Sequence, residues 1–120
     1  MEIHFETTSG NIQRIRLTGR MDIEGTGEIE GPLTANATTE DFARIIIDLS
    51  EVPYLASIGL GCIVRTAQGV DRRKGKLVLL NPQPLVAKVL AESGVNQRIR
   101  VFTALDLATE FLSRLPLGEE

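Results

Sequence analysis

The chain has 120 residues and a formal net charge of −3, and Ile, Leu, Val and Phe fill 38 of its positions. That apolar share exceeds what disordered chains carry, so one packed domain is expected, with no room for a second. No apolar run is long enough to cross a bilayer, Met1-Glu2-Ile3-His4 opens without an apolar targeting segment, and the lone Cys62 and lone His4 exclude an internal disulfide and a His/Cys zinc site. A cytoplasmic, metal-free domain without a membrane attachment follows as the expectation.

In chain order, Ile3-His4-Phe5 reads as a short strand, and Thr7 to Asn11 as a turn in which Gly10 and Asn11 accept positive φ. Ile12 to Thr18 alternates, with Ile15 and Leu17 on one face and Arg14 and Arg16 on the other, the pattern of a half-buried strand. The two strands are expected to pair as an antiparallel hairpin. Residues 23–41 carry the weakest signal. Gly25, Gly27, Gly31 and Pro32 all oppose a helix, yet Ile23, Ile29, Leu33 and Ala37 fall on one helical face, so a short or broken helix stays open.

From Ala43 onward the pattern is clear. Arg44 to Leu49 is a β-branched run typical of a strand covered on both sides. A helix is predicted from about Ser57, its apolar positions Leu60, Ile63, Ala67 and Val70 spaced for one face and its end marked by Arg72-Arg73-Lys74-Gly75. Lys76 to Leu80 is a second buried strand. Asn81-Pro82 opens a helix that Ser93-Gly94 ends, and Ile99 to Phe102 is a short strand. Thr103 to Asp106 has the form of a capping box before a last helix with Leu105, Ala108, Leu112 and Leu115 inward. Alternating strands and helices imply parallel crossovers, with the hairpin at one edge of a mixed sheet.

The charge is uneven: residues 1–60 hold 4 basic and 10 acidic side chains, residues 61–120 hold 9 and 6. The one dense basic cluster, Arg72, Arg73, Lys74 and Lys76, reads as the end of a helix, where cations complement the dipole. With no Trp and a single Tyr for base stacking, nucleic-acid binding is not expected.

The segment Tyr54-Leu55-Ala56-Ser57-Ile58-Gly59-Leu60-Gly61 joins a buried strand to a helix start. Read locally, Ser57 is an N-cap. Three features add a functional reading. Gly59 and Gly61 leave the first turn bare enough for another backbone to approach, free amides there favour an anion or a phosphate on Ser57, and Ile58 and Leu60 offer a partner apolar surface. Other chemistry is poorly supported. Val64 stands where a dinucleotide fingerprint needs its third glycine, no phosphate-binding loop is present, and Ser57 lacks the surroundings of a nucleophile elbow. No catalytic residue and no cofactor are expected.

Four stretches together resemble the STAS domain family, the anti-sigma factor antagonists of partner-switching pathways: Leu17-Thr18-Gly19-Arg20-Met21-Asp22, Ile45 to Leu49, Ser57 to Gly61, and Pro84 to Gly94. The likeness runs from residue 3 to about 114 of a single domain spanning 1–120. It implies an α/β fold, a mixed β-sheet with an N-terminal hairpin and helices packed mainly on one face. It also implies a binding protein rather than an enzyme. Its partner would be an anti-sigma factor with serine kinase activity, Ser57 the phosphoacceptor, and a serine phosphatase the agent that resets it. Met21, Asp22, Tyr54, Ala56, Ser57, Ile58 and Gly59 would form the partner-binding surface, with Asp22 beside Ser57. The family usually has Asp-Ser-Ser/Thr-Gly here, whereas this chain has Ala56-Ser57-Ile58-Gly59. That difference keeps open a constitutive binding module that is never modified, and the glycine pair keeps open a small-ligand or nucleotide site at 57–61.

Overall fold

A computed structural model describes residues 1–118. The elements are β1 (Glu2–Thr7), β2 (Ile12–Thr18), α1 (Ile23–Ala37), β3 (Arg44–Glu51), α2 (Ser57–Arg72), β4 (Lys76–Leu80), α3 (Pro84–Ser93), β5 (Val101–Phe102) and α4 (Leu105–Arg114). They form one five-stranded mixed sheet in the order β1-β2-β3-β4-β5.

Its hairpin is the antiparallel edge, with Ile3 opposite Leu17 and Phe5 opposite Ile15. The connection uses the expected positive φ at Gly10 (75°) and Asn11 (61°). The other four strands run parallel and step across the sheet in one direction. Right-handed crossovers that all advance the same way must lie on the same face, so α1, α2 and α3 pack together on one side. Ile15, Leu17, Ile45, Ile47, Leu49, Leu77 and Leu79 face them and meet Ile29, Leu33, Ile63, Val70, Val86 and Leu90. The odd helix out is α4, whose Ala108 and Leu112 cover Ile12, Ile46, Val78 and Leu80 on the back.

Several local expectations are corrected. Residues 23–37 form a continuous helix in spite of three glycines and Pro32. Pro32 is exposed, and so is Glu28, whose carbonyl loses its helical partner to the missing N–H. Ile23 does not join the buried face; it is 75% exposed, whereas Ile29, Leu33 and Ala37 are buried. At the end of α2 the left-handed residue is Lys74 (φ 62°), not Gly75. Gly75 is needed for space, since a Cβ there would sit 2.5 Å from the Ala43 carbonyl oxygen. Helix α3 starts at Pro84 behind Gln83, not at Asn81-Pro82. The capping box at Thr103 does not form; Ala104 takes the cap position without a side-chain bond, and Leu105 is exposed.

Where α4 stops short of β1, the back of the sheet is polar. Asp48 is buried at 1% exposure and accepts from Arg14 Nη2 at 2.6 Å and Nε at 3.0 Å, while its other oxygen takes the Ser50 N–H at 2.9 Å. Arg16 bonds Glu6 at 3.1 Å alongside. Burial alone would raise the Asp48 pKa, but the Ser50 and Arg14 hydrogen bonds outweigh it and hold the carboxyl below the usual range.

Candidate functional site

In a parallel sheet the strands' carboxyl ends face the starts of the following helices, so the starts of α1 and α2 gather at one edge. The chain past β2 bonds there to the chain past β3. Met21 N–H donates to the Tyr54 carbonyl at 2.9 Å, and Ala56 N–H donates to the Met21 carbonyl at 3.0 Å. Met21 and Leu55 thus form a parallel bridge just outside the strands. Asp22 and Ser57 follow directly on these bonded residues, each opening a helix.

Asp22 is the N-cap of α1, its carboxylate accepting the Gly25 N–H at 2.8 Å. That bond, followed by the nearby Arg20, holds its pKa below the usual carboxylate value. Ser57 is not the N-cap of α2. Ala56 takes that position with extended backbone and no side-chain bond, and Ser57 is the first helical residue, exposed to solvent. The hydroxyl is therefore spared the structural role assigned by local pattern.

Around these two residues the expected surface divides. Ile58 is 43% exposed and Tyr54 and Ala56 are half-buried, so all three reach the surface. Met21 and Gly59 are buried and shape the site from beneath, without offering a side chain to a partner. Gly59 is also not open to another backbone. A Cβ there would fall 2.6 Å from Met21 Cγ, 2.8 Å from the Met21 carbonyl oxygen and 2.9 Å from Leu55 Cδ1. Glycine at 59 is what lets α2 start against the Met21 bridge. Gly59→Ala is expected to lower unfolding stability by about 1–2 kcal/mol in urea denaturation, the overpacking cost exceeding the gain in helix propensity. Leu60, expected to help form the apolar rim, packs on the core.

Two neighbours were not picked out from the sequence. Ile23, the first residue of α1, projects next to Asp22. Arg20 stacks its guanidinium 4.3 Å from the Tyr54 ring centre and lies 3.7 Å from the Asp22 carboxylate. The only signal for either was adjacency to Asp22. His4 is exposed on the edge strand β1, 3.9 Å from Glu2.

Cys62 is buried within α2, and burial pushes its thiol pKa up to about 11, so it is not poised as a nucleophile. Among the described residues no group of three His, Cys, Asp or Glu side chains is placed to hold a metal ion, and no helix is long and apolar enough to cross a membrane. Two cavities, of about 640 and 740 Å³, are lined by residues such as Gln68, Asp71 and Arg98, and Asn36, Asp41 and Phe42; neither includes any residue of 54–61.

Known proteins share this fold. The chain is 26% identical over 95 residues to the anti-sigma F factor antagonist of Lysinibacillus sphaericus, covering 79% of this chain and 81% of that one. An anti-sigma factor antagonist structure from Thermotoga maritima, described as putative, superposes with a TM-score of 0.82 at 18% identity, covering 93% and 95% of the two chains. SpoIIAA, an anti-sigma factor antagonist, superposes in its unphosphorylated form with a TM-score of 0.76 at 20% identity, over 95% and 98%. The Bacillus protein in its phosphorylated form gives 0.68 at 21%, over 92% and 98%. The STAS domain model matches residues 6–108, most of the chain and all of the sheet beyond the first turn of the hairpin, and by that match the chain belongs to the STAS domain family.

Proposed function

We propose that this protein is an anti-sigma factor antagonist that works by partner switching. Its unmodified form binds an anti-sigma factor with serine kinase activity through the edge where α1 and α2 begin. The exposure of Ser57 at the start of α2, on a chain segment bonded to the one that bears Asp22, is the observation that carries this reading. The names of the relatives support the partner class, and the existence of SpoIIAA in a phosphorylated form supports the kind of switch.

In the switch, Ser57 Oγ attacks the γ-phosphorus of ATP held by the partner. The new O–P bond forms as the β–γ bridging bond breaks, ADP leaves, and the serine proton passes to a base on the kinase. The phosphate adds roughly −1.5 to −2 charges. At a helix start such charge is well accommodated, so the fold tolerates it. At an interface it must be desolvated close to Asp22, and binding ends. A serine phosphatase restores the hydroxyl. The chain itself catalyses nothing in this scheme.

The test is to incubate the protein with its kinase partner and ATP and locate the phosphate by mass spectrometry. One phosphate on Ser57, and none on the Ser57→Ala variant, is the expected result; a wild-type protein that stays unmodified would remove the switch. A second reading, constitutive binding without modification, draws on Ala56 and the exposed Ile58, which make the acceptor's surroundings more apolar than the family pattern.

A further inference from the structure

Between residues 19 and 64 the chain has two cations, Arg20 and Arg44. Arg44 is occupied elsewhere, donating to the Leu112 carbonyl at the end of α4. Arg20 stands at the site. Its side chain is 62% exposed, its guanidinium rests on Tyr54, and among the described residues its one carboxylate contact is Asp22 at 3.7 Å, beyond hydrogen-bond length. Such a pair is worth little, so the guanidinium is free to be redirected at low cost. The backbone ties its segment to the one that bears the acceptor. Met21, next to Arg20, bonds to both Tyr54 and Ala56, and Ser57 is the next residue. No carboxylate precedes the serine, since position 56 is alanine.

Resting on the phosphorylation reading above, we propose that Arg20 is the residue that holds the phosphate once Ser57 carries it. The guanidinium leaves Tyr54 and Asp22 and presents two N–H groups to phosphate oxygens, a pairing that is short, bidentate and stronger than a neutral hydrogen bond. The first-turn amides of α2, which Ala56 leaves without a side-chain cap, supply the remaining donors. Asp22 keeps its bond from Gly25, so α1 stays capped while its carboxylate loses its cation. The modified surface then differs from the unmodified one in two ways beyond the added charge: Tyr54 is uncovered, and Asp22 is left unneutralised.

The experiment uses the full chain with phosphoserine encoded at position 57 during translation, so that no kinase is required. The second ionisation of the phosphate is followed by ³¹P NMR against pH, in the wild-type background and in Arg20→Gln. Both feel the helix start and the carboxylates of Asp22 and Glu24, so the difference between them reports Arg20. The wild-type background is expected to titrate lower by about half a unit or more, roughly a threefold change in proton affinity, and Arg20→Lys to fall between. Coincident curves for arginine and glutamine would overturn the assignment. Arg20 is exposed, and matching circular dichroism of the variants confirms that the comparison is between folded proteins. The two ideas fail separately: no kinase-dependent phosphate at Ser57 removes the switch, whereas coincident titrations remove only the role of Arg20.

Discussion

Ser57→Asp is expected to weaken binding to the anti-sigma partner by on the order of 100-fold while leaving unfolding stability nearly unchanged. The two halves of this outcome have different causes. In the free protein, position 57 is exposed and lies in the first turn of α2, where a carboxylate is favourable to the helix dipole. Bound, the same carboxylate is pressed close to Asp22 under a partner, and like charges forced together at an interface cost several kcal/mol. A loss of about 2.7 kcal/mol is the stated factor. Ser57→Ala should bind as the wild type does. Calorimetry with the purified partner reads both variants, and equal affinity for wild type and Ser57→Asp would favour constitutive binding instead.

Arg14→Met is expected to cost about 3 kcal/mol of stability, the largest effect predicted for any single surface-accessible charge here. Asp48 is almost fully enclosed, and two of its hydrogen bonds come from Arg14. Removing the cation leaves a buried carboxylate with only the Ser50 N–H and a distant Arg16, 4.0 Å away. Breaking one side of such a pair is far more harmful than replacing both. The double variant Arg14→Met, Asp48→Leu should therefore recover part of the loss in urea denaturation at pH 7. The pH dependence has a definite sign. The folded carboxyl titrates below its unfolded value of about 3.9, so its contribution is complete above that value and is lost as pH falls through the lower folded one. In Arg14→Met the acid dependence between pH 5 and 3 should flatten.

The pair also marks where sequence reading ran out. Arg14 alternates with buried residues and so resembles an ordinary solvent-facing position, and Asp48 sits in a run otherwise made of apolar residues. Only the parallel register of β2 and β3, with Arg14 opposite Ile46 and Arg16 opposite Asp48, brings them together. The strand-helix alternation from Ala43 onward was legible because each element carries its own period, and the resemblance to STAS domains drew the fold from the same segments. Helix α1 was not legible. Its glycines and proline oppose the helix locally, and burial of Ile29, Leu33 and Ala37 overrides them. Caps fared worst, at Ser57, Gly75 and Thr103, because a cap depends on one residue's backbone angles and any of two or three neighbours fits the pattern. At the site, Ser57 is exposed at the start of its helix, whereas the burial of Met21 and Gly59 depends on a bridge between segments more than 30 residues apart.

Helix α1 has little order of its own. Each interior glycine costs about 1 kcal/mol relative to alanine and a proline more, so its form is borrowed from the sheet beneath and from the cap at Asp22. A cap is a local device, but in a segment with so small a reserve its influence extends along all fifteen residues, about 22 Å. Whatever draws the Asp22 carboxylate away from the Gly25 N–H therefore strips the first turn of its side-chain cap, a loss of about 1 kcal/mol in a helix with little to spare.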